Sequence, residues 1–151
     1  MDAVTKRIVG RRAVVLALAT LPLAGPPARA SGFEGADERA INTAVREQLE
    51  ALAADDAARA YSYATPAIRA MFRDAQTFLS MVKSGYAAIV RPRSVVLFKP
   101  ERVEPDEAEL RVQVVDREGA AWLAVYRLER QADRSWRIAG CTLAPSRAQI
   151  A

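Results

Sequence analysis

A change of hydrophobic period near the middle of the chain limits its possible folds more than any other feature. Up to about residue 90 the apolar side chains recur every three or four positions; beyond residue 94 they alternate with polar ones. The first spacing is that of a helix face and the second that of a half-buried strand. Ile41, Val45, Leu49 and Leu52 predict an amphipathic helix over Ala36–Ala54. Asp55-Asp56 interrupts it and can cap a second short helix, Ala57–Ala64. Thr65-Pro66 is a helix start, with threonine as N-cap and proline in the first turn. Asp74 can cap a further helix bearing Phe78, Met81 and Val82, which Gly85 is placed to end.

The strands follow the two-residue period. Ser94–Phe98 is rich in β-formers, and Leu110, Val112 and Val114 alternate with Glu109, Arg111 and Gln113. Asp116-Arg117-Glu118-Gly119 reads as a turn whose glycine closes a bulged three-residue loop. With that loop Val114 faces Trp122, Val112 faces Ala124 and Leu110 faces Tyr126, while Glu109 opposes Arg127 as a charge pair. A loop over 131–135 leads to the last strand, and an unbroken register sets Tyr126 against Gly140. The inward set is then Leu110, Val112, Val114, Trp122, Ala124, Tyr126, Leu128, Trp136 and Ile138. Leu123, Val125, Ala139, Cys141 and Leu143 fall on the opposite face among Arg111, Arg127 and Arg137, a candidate homodimer surface. Helices followed by an antiparallel meander make an α+β domain, with short N-terminal helices packed on a curved antiparallel sheet.

The net charge of +4 does not belong to that domain. Lys6, Arg7, Arg11 and Arg12 precede a short apolar run, Ala13–Leu21, and then a small-residue exit at Ala28 and Ala30. This is the pattern of a secretory signal peptide cleaved after Ala30; the run is about half the ~20 residues needed to span a bilayer. Arg11-Arg12 followed by Ala-Val-Val-Leu fits a twin-arginine export signal or an ordinary basic leader equally well. The expected location is periplasmic or secreted, with no membrane attachment after cleavage. Without residues 1–30, the 22 basic and 18 acidic residues fall to 17 of each. A neutral domain with scattered arginines lacks the cationic face that nucleic acid requires. The expected layout is signal peptide 1–30, flexible start 31–39, α+β domain 40–145 and C-terminal tail 146–151.

The chain has no histidine and one cysteine, Cys141. That excludes Ser-His-Asp and Cys-His chemistry, histidine-ligated metals and an internal disulfide, and no cofactor or metal is implied. Asp55 and Asp56, beside Tyr61 and Tyr63, are the candidate acid–base residues; helix capping is the competing role for both. Tyr61, Tyr86, Trp122 and Tyr126 are candidates to line a small-molecule pocket, or else are core aromatics. Arg91 and Arg93, flanking Pro92, can hold a ligand carboxylate or simply face solvent. Cys141 is a buried thiol, an intermolecular disulfide partner, or a nucleophile that Arg137 would have to activate.

The closing ADRSWRIAGCTL resembles the last hairpin of the nuclear transport factor 2-like superfamily. The blocks QLEALAADDAARAYSYATPAIRAMF, FLSMVKSGYAAIVRP and WLAVYRLERQADRSWRIAGCTL, in that order, resemble the bacterial domain of unknown function family 4864. The likeness covers about Ala40–Leu143 and implies a cone-shaped α+β fold in which sheet and helices enclose a cavity. Arg134 stands where the superfamily often has glycine, which costs strain if the turn needs a positive φ. No activity follows, because that superfamily contains isomerases, dehydratases and binding modules. The expected function is therefore a non-catalytic exported domain binding a small apolar ligand or a partner protein. The alternative is a small cofactor-free lyase or isomerase using a cavity carboxylate and tyrosine.

Overall fold

Three helix starts depend on one side-chain oxygen each. In the computed structural model, which describes Phe33 and residues 35–147, Asp56 accepts a hydrogen bond from the Arg59 amide at 3.1 Å. Thr65 accepts from Ile68 at 3.2 Å and Asp74 from Thr77 at 2.7 Å. Each satisfies an amide that the first turn leaves without an intrahelical partner. The helices are α1 (Ala36–Ala53), α2 (Ala57–Ser62), α3 (Pro66–Ala70), α4 (Ala75–Gly85) and α5 (Ala87–Val90). Gly85 is not the terminator expected of it. It stays in the last turn of α4 without a positive φ, and Tyr86 closes the helix through its amide on the Val82 carbonyl at 2.8 Å.

The strands are β1 (Ser94–Leu97), β2 (Glu101–Glu104), β3 (Glu107–Val115), β4 (Ala121–Arg130) and β5 (Trp136–Pro145). They form one antiparallel sheet ordered β1-β3-β4-β5, with β2 sharing the β3 edge beside β1. The fold is thus α+β, helices first and a curved five-stranded sheet after. The β3–β4 pairing has the expected register, Val114 on Trp122, Val112 on Ala124 and Leu110 on Tyr126. Gly119 takes φ 89° in the connecting loop, and the Asp116 amide donates to the Ala120 carbonyl at 2.9 Å. Glu109 does oppose Arg127, but the carboxylate within ion-pair range of that guanidinium is Glu107, at 3.9 Å. Arg134 has φ 69°, the left-handed conformation that its turn demands.

The β4–β5 register departs from expectation. Leu128 pairs with Ile138 but Arg127 pairs with Gly140, so Ala139 is an extra residue in β5. A one-residue slip exchanges the two faces of a strand. Tyr126 therefore opposes Cys141 rather than Gly140, and Ala124 opposes Leu143. Cys141 and Leu143, expected on the outer face, pack against the core instead. The proposed dimer surface loses both. On β1 that same face carries Val96, 53% exposed and paired with Gln113. The bulge lies where the α2–α3 junction docks on β5: the Ile138 amide donates to Tyr63 O at 2.7 Å and its carbonyl accepts from Thr65 at 2.9 Å.

The core lies between the inner sheet face and α1, α4 and α5. Ile41, Val45, Leu49 and Leu52 of α1 meet Leu110, Val112, Val114, Tyr126 and Leu128, all buried. Phe33, inside the stretch expected as a flexible start, is fully buried edge-on to Trp136 at 5.2 Å, with the Arg102 guanidinium 4.0 Å from its ring centre. The Trp136 indole donates to Asp37 at 3.1 Å, and Arg130 pairs with Asp37 and Asp106 at 3.5 and 2.6 Å, fixing the start of α1 to the sheet. The expected signal peptide lies outside the described residues. Among the described residues, no helix is long and apolar enough to cross a membrane.

Candidate functional site

The Ala139 bulge does more than shift a register, because it brings Cys141 under the helices beside Tyr126. These two residues, with Ile138 and Gly140, form the sheet side of a cavity of about 310 Å³. The helical side comes from Leu52 of α1, Ile68 of α3, Phe78, Met81 and Val82 of α4, and Ile89 of α5. These residues share one face because each helix places its three- or four-residue stripe inward. Met71 and Phe72, in the link from α3 to α4, complete the wall, and Met71 is 74% exposed. The wall is apolar apart from Gln48, Tyr86, Tyr126 and Cys141, and no Asp, Glu, Lys or Arg among the described residues is part of it.

Tyr126 is fully buried, and its hydroxyl has no hydrogen-bond partner. The Cys141 thiol lies beside it and donates to its neighbour's carbonyl, Thr142 O, at 3.6 Å. Burial holds the ionisation of Tyr126 well above the usual phenol range, and burial pushes the Cys141 thiol up to about 12. Both groups are therefore neutral at physiological pH. Gln48 is buried as well, its amide nitrogen held by the Ala60 carbonyl at 3.2 Å.

The four expected pocket aromatics divide three ways. Tyr86 and Tyr126 line the cavity. Tyr61 does not: its hydroxyl donates to the Arg69 carbonyl at 2.6 Å and its ring leans on Phe78 at 5.5 Å, so it braces α2 against α4. Trp122 lies in a separate open groove with Lys83, Arg91, Asp116, Arg117 and Glu118. Its indole donates to Asp116 at 2.8 Å, which holds that carboxyl below the usual carboxylate range. Not expected in the cavity wall are Cys141, assigned to the opposite face, and the apolar side chains of Ile68, Met71, Phe72, Phe78 and Met81.

Asp55 and Asp56 stand outside the cavity. Asp56 is the cap of α2. Asp55 is exposed at φ 54°, gripped by Lys83 at 2.6 Å and Arg91 at 2.5 Å, and hydrogen bonds from those two cations lower its pKa. Arg91 is thereby occupied. Arg137, the arginine that a nucleophilic Cys141 would need, donates to the Ser62 carbonyl. Among the described residues no cluster of three or more His, Cys, Asp or Glu side chains is placed to hold a metal ion.

What this arrangement can do chemically is receive an uncharged, mostly apolar molecule beside a buried hydroxyl. No curated protein matches the chain. The profile of a domain of unknown function (DUF4864) does match it, over residues 34–151, and by that match the chain belongs to this family.

Proposed function

We propose that the protein is an exported, non-catalytic binding domain that holds a small apolar molecule between its helices and its last two strands. The observation carrying this reading is the pairing of an apolar wall with one unsatisfied, fully buried hydroxyl, Tyr126. Natural interiors leave few such groups without a partner, and a void this large in a small core forfeits packing contacts. A bound molecule restores both. The volume of about 310 Å³ is at the small end of ligand pockets. Export is supported by the basic, apolar and small-residue zones of residues 1–30. A cone of helices over a curved sheet is also the architecture that the likeness to the nuclear transport factor 2-like superfamily implies.

The test is expression of the full chain in an exporting bacterium, followed by two measurements on the purified product. Sequencing of the N-terminus should begin at Ser31. Organic extraction and mass spectrometry should recover a small apolar molecule in stoichiometric amount, and its return should raise the melting temperature. Recovery of no such molecule, together with no thermal shift from a panel of small apolar compounds, rejects the binding function.

A further inference from the structure

Resting on that reading, we propose that the cavity selects a neutral molecule of about ten non-hydrogen atoms with one hydrogen-bond acceptor, a carbonyl or ether oxygen, seated on the Tyr126 hydroxyl. The size follows from the volume, since about 310 Å³ at about 30 Å³ for each water-sized group gives roughly ten. The acceptor follows from the donor left over. Among the described residues Tyr126 is fully buried with its O–H unpartnered, whereas Tyr86 is only half-buried and within reach of water, the Cys141 thiol has the Thr142 carbonyl and the Gln48 amide nitrogen has the Ala60 carbonyl. Tyr126 also remains a neutral donor, because burial disfavours its ionised form. Neutrality of the ligand follows from the wall. Among the described residues no lysine or arginine lines the cavity, so a carboxylate would be desolvated without a counter-charge, at a cost far above what its apolar tail returns. The cations Lys83 and Arg91 are in the other groove, against Asp55. Entry past the exposed Met71 lets the polar end lead and the tail remain among Phe72, Phe78 and Met81.

Three probes of one length separate the terms: nonanone, a methyl ketone; nonane; and nonanoate. Affinities for the full chain come from the melting-temperature rise as a function of dissolved probe. At neutral pH nonanone is expected to bind about tenfold more tightly than nonane, the worth of one good hydrogen bond to an otherwise unpaired group. Tyr126→Phe should abolish that advantage and leave nonane unchanged. Nonanoate should bind only as the pH falls towards its own pKa. Equal affinity for nonanone and nonane, or a nonanone affinity that Tyr126→Phe does not alter, overturns the acceptor assignment while leaving apolar binding intact. Tightest binding by nonanoate at neutral pH overturns the neutral class. Failure of all three probes to bind rejects both this inference and the binding function beneath it.

Discussion

Tyr126 and Cys141 are cross-strand partners on β4 and β5, and they meet only because Ala139 bulges out of the ladder. The pairing places a fully buried phenol beside a half-buried thiol, the first without a hydrogen-bond partner among the described residues and the second with a long bond to its neighbour's carbonyl. Burial is the main reason that both stay neutral.

The unsatisfied hydroxyl has a direct consequence for the ligand-free protein. Tyr126→Phe removes a buried polar group that gains nothing from folding and keeps the ring that fills the core. The variant should be more stable than the wild type by about 1 kcal/mol, read from urea unfolding as a raised midpoint with an unchanged slope. Destabilisation of that size would mean that the hydroxyl has a partner in solution.

The thiol offers a second measurement. With its ionisation pushed up to about 12, Cys141 has little thiolate at pH 8. Its reaction with a disulfide reagent in the folded protein should be on the order of a thousandfold slower than that of a free cysteine. Stability should follow the same shift. The unfolded thiol ionises near 9 and the folded one near 12, so its contribution is complete below pH 9 and is lost as pH rises towards 12. Between pH 9 and 10 the wild type should lose up to about 1.4 kcal/mol more than Cys141→Ala. Parallel stability curves for the two proteins above pH 9 would contradict a buried thiol.

Much of this fold is legible because its signals are local. Asp56, Thr65 and Asp74 are small polar side chains just ahead of apolar periodic runs, and each caps the helix expected of it. The β3–β4 register follows from a glycine at the one loop position requiring φ 89° and from alternation on both strands. The β4–β5 register is not legible in the same way, because a bulge adds a residue without changing composition. A trace of it was present: beyond Gly140 an unbroken register would bury Thr142 and Ala144 and expose Cys141 and Leu143, the less apolar set inside. The cavity was legible in part only. Tyr86, just past α4, and Tyr126 on β4 both reach it, whereas Trp122 is drawn off by Asp116 and Tyr61 by the Arg69 carbonyl. Those are tertiary choices between partners, and spacing does not encode them.

Asp56 separates capping from catalysis. Its carboxylate accepts from the Arg59 amide at 3.1 Å and stands outside the cavity wall. Asparagine caps a helix about as well as aspartate, and alanine does not. Asp56→Asn should therefore keep both stability and apolar-ligand binding, while Asp56→Ala should lose about 1 kcal/mol in urea unfolding. Equal losses from the two substitutions would show that the charge, and not the cap, is what matters there.

Arg134 holds φ 69° in the β4–β5 turn, where its amide donates to the Gln131 carbonyl at 2.8 Å and Gln131 in turn donates to Ser135 at 2.7 Å. A residue with a Cβ carries a conformational cost of about 1 kcal/mol in the left-handed region, and glycine does not. Glycine also loses more backbone freedom on folding, which offsets part of the gain. The side chain is exposed and no ion pair among the described residues includes it, so little else changes on replacement. Arg134→Gly should raise stability by a few tenths of a kcal/mol to about 1 kcal/mol, and Arg134→Asn, which tolerates the left-handed region, should fall between it and the wild type. The turn also sets where β5 begins, a few residues before the bulge that places Cys141 opposite Tyr126. The glycine variant should therefore leave the slow thiol reaction unchanged. A faster one would mean that the strained turn helps hold the bulged register in place.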